Sequence, residues 1–253
     1  MKIKSILISQ PQPSEAEKSP YLQLSKKLNV NIDFQNFISV EGLTAKEFRK
    51  SKVQILDHTA VILTSRNAVD HFFRMAKELR IEIPDTMKYF CISEVTAFYL
   101  QKYVQYRKRK IFYGRQRFNE LIDLIKKHKD EKFLLPCSDI HKLNFTRLLE
   151  QNNINFTKAV FYKTIACDLS DFDIDKYDML VFFNPSGIKS LFKNFPGFKQ
   201  GDKLIGAFGP TTTKAVQDAG LTVNINAPTK TAPSMTMAIE EYLTKNNRKS
   251  SRI

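Results

Sequence analysis

The sequence predicts an α/β protein built as two doubly wound, mainly parallel sheets of similar build. Three observations lead there. Short apolar runs alternate with helical periodicities along the 253 residues, the pattern of parallel strands joined by crossover helices. Ten such runs are too many for one ordinary sheet, which argues for two sheets and two domains. Two strand-turn-helix units also recur in the same order in both halves of the chain.

In chain order the apolar runs place strands at 3–8, 31–37, 60–64, 89–92, 109–112, 132–135, 157–164, 179–183, 204–208 and 223–225. Helices fall between them. Over 67–79, Val69, Phe72, Phe73, Ala76 and Leu79 recur at helical spacing, and 212–219 is a helix closed by Gly220 as its stop signal. In the repeat, the strand Ala60-Val61-Ile62-Leu63 runs through Thr64-Ser65-Arg66-Asn67 into one helix. Met179-Leu180-Val181-Phe182-Phe183 runs likewise through Asn184-Pro185-Ser186-Gly187 into another. Phe90-Cys91-Ile92-Ser93 and Ala207-Phe208-Gly209-Pro210 form a second pair at nearly the same offset. Two matched pairs in one order indicate a duplicated unit.

Composition narrows the class. With 42% hydrophobic and 26% charged residues, 8 Gly and 10 Pro, the chain is neither collagenous, low-complexity nor a disulfide scaffold. No apolar run approaches the ~20 residues of a membrane-spanning helix, and Ile6-Leu7-Ile8 is too short for the apolar core of a signal peptide, so a cytoplasmic protein is expected. Cys91, Cys137 and Cys167 are widely spaced and read as small hydrophobes. His58, His71, His128 and His141 are scattered, and no metal site is expected.

The net charge of +14 favours polyanionic partners. Lys102, Arg107, Lys108, Arg109, Lys110, Arg115 and Arg117 lie between Phe98 and Phe118 without an acidic residue. That stretch reads as a solvated face, a funnel for an anionic substrate, or a nucleic-acid patch.

Ligands of open parallel sheets sit beyond the carboxyl ends of the strands, where loops enter helix amino termini. Four turns qualify: 64–67, 93–96, 184–187 and 209–212. Each offers hydroxyl or amide groups and the free N–H donors of a helix start, which suit carboxylates or phosphates. Ser, Thr and Asn there are also ordinary N-caps worth ~1 kcal/mol, so one turn alone signifies little. Six of the eight glycines fall between 187 and 220, where backbone approaches a ligand closely or turns sharply. No Gly-x-Gly-x-x-Gly, Walker-type or Gly-x-Ser-x-Gly pattern is present, so neither a dinucleotide nor a nucleoside triphosphate is expected.

Thr64-Ser65-Arg66-Asn67-Ala68-Val69, Val160-Phe161-Tyr162-Lys163-Thr164, Val181-Phe182-Phe183-Asn184-Pro185-Ser186-Gly187-Ile188, Gly209-Pro210-Thr211-Thr212-Thr213-Lys214-Ala215 and Ala227-Pro228-Thr229 followed by Ser234-Met235 occur in that order. In order and spacing they resemble the uroporphyrinogen-III synthase family, most closely its Bacteroidetes-type members, up to about Leu243.

The resemblance implies a cofactor-free lyase that closes linear hydroxymethylbilane into uroporphyrinogen III, inverting ring D and losing water, in haem biosynthesis. It implies two flavodoxin-like domains joined by a two-stranded linker: 1–37 plus 166–247, and 38–165, with linker strands near 31–37 and 157–164 and a disordered basic tail at 248–253. Tyr162 matches the family's proton donor. Ser65, Arg66, Asn67, Ser93, Asn184, Ser186, Gly187, Gly209, Thr211 and Thr212 are the implied substrate contacts. The implied partner is the small polycarboxylate alone, with no membrane or nucleic acid and a monomeric chain. Two positions depart from the family pattern: Ser9-Gln10-Pro11 stands where an Arg is common, and Ser93 where a Gly is common. An anion-binding module without catalysis and a nucleic-acid-binding protein are the alternatives.

Overall fold

Ala60-Val61-Ile62-Leu63 and Met179-Leu180-Val181-Phe182 are apolar at every position. In the computed structural model each is an interior strand of a parallel sheet, fully buried along its length. The structure describes residues 3–115, 118–140 and 143–250. Its strands are β1 (Ser5–Ile8), β2 (Asn31–Phe34), β3 (Ile38–Gly42), β4 (Ala60–Leu63), β5 (Lys88–Cys91), β6 (Ile111–Tyr113), β7 (Phe133–Ser138), β8 (Phe156–Ala166), β9 (Met179–Phe182), β10 (Leu204–Phe208) and β11 (Ile225–Ala227). Its helices are α1 (Pro20–Leu28), α2 (Ala45–Arg49), α3 (Arg66–Glu78), α4 (Glu94–Leu100), α5 (Phe118–Lys126), α6 (Leu143–Gln151), α7 (Pro185–Asn194), α8 (Pro210–Asp218) and α9 (Met235–Ser250).

The chain divides into two units, Met1–Ser39 with Ile165–Ile253, and Val40–Thr164. The first holds a five-stranded sheet in the order β11-β10-β9-β1-β2, parallel throughout. The second is built on the order β3-β8-β7-β4-β5-β6, and β8 through β6 pair in parallel.

Period-two alternation splits each sheet into two cores. Val61 and Leu63 pack with Val69, Phe72 and Met75 of α3 on one face, while Ala60 and Ile62 join Leu121 and Ile125 of α5 and Leu149 of α6 on the other. In the first unit Ile6, Ile8, Met179 and Val181 meet Ile239 and Leu243 of α9. Leu7, Leu180 and Phe182 meet Ile188 and Leu191 of α7 and Val216 of α8. Full burial of each large side chain contributes about 1.5–3 kcal/mol against the entropy of ordering the chain.

Most expected strands coincide with observed ones, and the differences have local causes. β3 was not expected: as an edge strand beside β8 it is largely exposed and carries no continuous apolar run. The strand expected at 109–112 begins at Ile111, because the Lys110 N–H is bonded to the Arg107 carbonyl in a turn. Helix α9 extends through Ser250, into the stretch expected as a disordered tail. Residues 251–253, Arg117 of the basic stretch and His141 lie outside the described residues.

Candidate functional site

In the second unit the chain leaves β4 toward β5 and β6, while β7 and β8 lie on the other side of β4. The direction of winding therefore reverses between β4 and β7, and the carboxyl edge there is where an open α/β sheet receives a ligand. Ser65 follows β4 and caps α3, accepting from the Ala68 N–H at 3.1 Å. Ser138 ends β7. Its register against β8 slips at this point: Cys137 lies opposite Val160 but Ser138 opposite Tyr162, so Phe161 is an extra residue. A bulge of this kind re-aims the side chain that follows it. Phe161 and Tyr162 are consequently buried in succession, at 0% and 8% exposure.

The Tyr162 ring stacks on His71, centroids 4.9 Å apart. Burial pushes the phenol pKa up, opposed by hydrogen bonding with the Ser65 side chain, so the hydroxyl stays protonated across the neutral range. Burial also lowers the His71 pKa, helped by the Arg74 cation and opposed by Asp70. Arg74 Nε donates to His71 Nδ1 at 3.2 Å, which places the imidazole as a neutral acceptor on that side. Beside Tyr162, Asp139 donates its N–H to the Tyr162 carbonyl at 3.1 Å and accepts from the Thr164 N–H at 3.0 Å and the Ser138 hydroxyl at 2.7 Å. Burial alone would raise the Asp139 pKa, but these hydrogen bonds hold it below the usual carboxylate value.

Arg66 and Asn67 are exposed on the first turn of α3, and the Arg66 guanidinium lies 5.3 Å over the Tyr99 ring. Ser93 opens α4 on the neighbouring strand β5. It is 7% exposed, and its hydroxyl accepts from the Thr96 N–H and contacts the Thr96 hydroxyl at 3.1 Å. It serves as a buried cap.

In the first unit the reversal falls between β1 and β9. Asn184 follows β9 and caps α7, accepting from the Gly187 N–H at 2.8 Å. Gly187 is buried, and a Cβ on it would meet Phe182 Cδ1 at 3.2 Å. Ser186 is half-buried beside it. On the adjacent strand β10, Gly209 opens α8 at φ +86°, a conformation other residues rarely adopt, and supplies no side-chain cap. Pro210 has no N–H, so the first-turn donors of α8 begin at Thr211, which is exposed. Of the four turns expected to bind anions, three carry a side-chain cap, on Ser65, Ser93 and Asn184, and α8 carries none. Thr212 is 1% exposed, so its side chain belongs to the core and only its backbone is left to meet a ligand.

The expected contacts thus gather into two groups, one at the carboxyl edge of each sheet. Ser9, Ser138, Asp139 and His71 went unread as site residues. Ser9 and Ser138 are polar residues at the end of apolar runs, the same signal that marked Ser65 and Asn184, but they lie outside the internal repeat. Ser9 Oγ is the one buried side-chain polar atom without a hydrogen-bond partner among the described residues. His71 has only its helical position, in the second turn of α3, and needed the fold to reach Tyr162.

Fold and turns define the class: a doubly wound α/β protein whose helix starts gather at the carboxyl edges of two parallel sheets. The chain belongs to the uroporphyrinogen-III synthase family, whose model, described as uroporphyrinogen-III synthase HemD, matches residues 20–237. No curated protein matches the sequence. Among solved structures, the uroporphyrinogen-III synthetase of Helicobacter pylori is similar over 96% of this chain and 100% of its own, at 18% identity and a TM-score of 0.59. A mutant uroporphyrinogen III synthase of the extremely thermophilic bacterium Thermus thermophilus is similar over 96% and 99%, at 14% identity and a TM-score of 0.53. Family membership makes the chain an enzyme of tetrapyrrole biosynthesis acting on a small-molecule tetrapyrrole substrate. No described helix is long and apolar enough to cross a membrane.

Proposed function

We propose that this chain closes hydroxymethylbilane to uroporphyrinogen III as a cofactor-free lyase, acting as a monomer in the cytoplasm. The observation that carries the residue assignment is the setting of Tyr162. A phenol kept protonated by burial, at the carboxyl edge of a sheet and beside the Ser65 helix start, is poised to give up a proton. In this reading Tyr162 donates to the hydroxyl as the C–O bond breaks, and water leaves. The substituted carbon of ring D attacks the azafulvene methylene that remains to give a spiro intermediate. Its older bond to the ring C methylene then breaks, that methylene rebonds to the unsubstituted α-carbon of ring D, which inverts the ring, and the proton lost from this carbon restores the phenol.

The substrate's eight carboxylates are held at the helix starts that carry Ser65-Arg66-Asn67, Ser93, Asn184-Ser186-Gly187 and Gly209-Thr211-Thr212, through the first-turn N–H groups that caps and neighbouring carbonyls leave free, aided by the net charge of +14. The uncapped start of α8 supports Thr211 as the strongest of these anchors. Catalysis is then mainly conformational selection of a flexible chain, with one assisted departure. The test supplies hydroxymethylbilane, oxidises the products and separates the porphyrin isomers. Unaided closure gives the symmetric type I isomer, so protein-dependent type III is the expected result. Type I alone with folded protein overturns the proposal.

A further inference from the structure

The helix-to-strand connections of the second unit, α3 to β5 and α4 to β6, enclose a cavity of about 750 Å³. In a parallel sheet these connections lie at the amino ends of the strands, the edge opposite Ser65 and Ser93. The volume falls within the ~300–1,000 Å³ of small-molecule sites.

Its walls have two characters. Phe73 and Tyr103 stack at 4.6 Å with ring planes 3° apart, and Ile81, Ile83, Met87 and Ile111 continue the apolar surface. Around them stand the cations Arg74, Lys77, Arg107 and Lys110 and the carboxylates Asp70 and Asp85, with Arg74 already paired to Glu78. Asp70 is already engaged by the hydroxyls of Tyr99 at 2.8 Å and Tyr103 at 2.5 Å. Asp85 is shared at the limit of contact, 4.0 Å from Arg107 and 3.9 Å from Lys110, and is almost fully exposed. Such exposed pairs contribute little, so Arg107 and Lys110 are not neutralised. Three residues of the basic stretch between Phe98 and Phe118, Lys102, Arg107 and Lys110, are accounted for here: Arg107 and Lys110 line the cavity, and the Lys102 ammonium lies 5.5 Å over the Tyr103 ring.

We propose that this cavity is a second ligand site, taking a small planar anion with an aromatic or fused-ring body and one or two acidic groups. The ring enters beside the Phe73–Tyr103 stack, and the acidic groups meet Lys77, Arg107 and Lys110 at the rim. A long polyanion such as nucleic acid does not suit a concave site of this size with an apolar floor. Arg74 also donates to the carbonyls of Leu43 and Phe161, so it is left intact in the test.

The probe is 8-anilinonaphthalene-1-sulfonate, titrated into the full-length protein near neutral pH and low salt while its fluorescence is followed. Saturable binding is expected, weakened at least fivefold in the double variant Lys77→Glu/Arg107→Glu, both of whose sites are exposed. The control Lys129→Glu/Lys199→Glu changes net charge equally at exposed positions that do not line the cavity and is expected to bind like the parent. Melting curves confirm that both variants are folded. Absence of saturable binding, or equal affinity in the two double variants, overturns the proposal.

Discussion

The two units contain the same five-stranded order entered at different points of the chain. In the first unit the sequence runs β1, β2, β9, β10, β11 and the sheet reads 2-1-3-4-5 in that count, the flavodoxin-like order. In the second the same positions are filled by β7, β8, β4, β5, β6, so the pair that comes first in one unit comes last in the other. Three strands keep their relative order, β4-β5-β6 against β9-β10-β11, and the repeat visible in the sequence covers the first two of them with their helices. At the reversal, Ser9 of the first unit stands where Ser138 stands in the second. Ser138 is tied into Asp139 and lies opposite Tyr162 across a bulge, whereas the Ser9 hydroxyl is buried without a partner. In the function proposed above, equivalent places in equivalent sheets do different work: side-chain chemistry in the second unit, backbone anchoring in the first.

The sharpest way to break that division is to compare Tyr162→Phe with Thr211→Ala. Tyr162→Phe keeps the ring and its stacking on His71 and is expected to slow type III formation roughly ten- to a hundredfold, the low end for loss of one proton donor, with the melting temperature unchanged. Thr211→Ala removes an exposed hydroxyl that caps nothing and is expected to change the rate only a few-fold, since backbone anchoring survives. Equal losses from both, measured by isomer-resolved kinetics, would end the distinction.

Next in size is Gly209→Ala. A Cβ there meets nothing within 4 Å, so the cost is backbone strain alone, about 1–3 kcal/mol. At about 2–4 °C per kcal/mol, melting falls by several degrees. KM is expected to rise more than kcat falls if α8 is an anchor, and an unchanged KM would remove it from that role.

Smaller effects separate the two serines. Ser65→Ala removes the cap on Ala68 and is expected to cost ~1 kcal/mol by chemical denaturation. Ser9→Ala deletes a buried hydroxyl with no partner, and stability is expected to stay level or rise by up to ~1 kcal/mol. A loss at Ser9 as large as at Ser65 would show that the hydroxyl has a partner in solution.

The smallest expected signal is a pH dependence confined to the second unit. The folded-state pKa of His71 is lowered, so the folded state favours the neutral ring. Its contribution is whole above the unfolded value of ~6.5 and is lost as pH falls through the folded value. His71→Phe should flatten the fall in melting temperature between pH 7 and pH 5, and an undiminished fall would place the titration elsewhere.

Particular residues show where sequence reasoning reached. β4 and β9 were legible because interior parallel strands must be apolar at every position, and the turns after them because a helix start needs polar donors and caps. β3 was not legible, since an edge strand with one neighbour has little to bury. The chain order also placed Tyr162 on a strand and Ser65 at a helix start. Only the tertiary structure brought Tyr162, His71 and Ser65 together, through a bulge that adds one residue to β8 and through winding that sets β7 beside β4. Periodicity is a property of neighbours along the chain, so the sequence alone determined the elements and their polar ends. Register and strand order depend on which distant segments pair, and these decided which of those ends meet and which hydroxyl, at Ser9, is left alone.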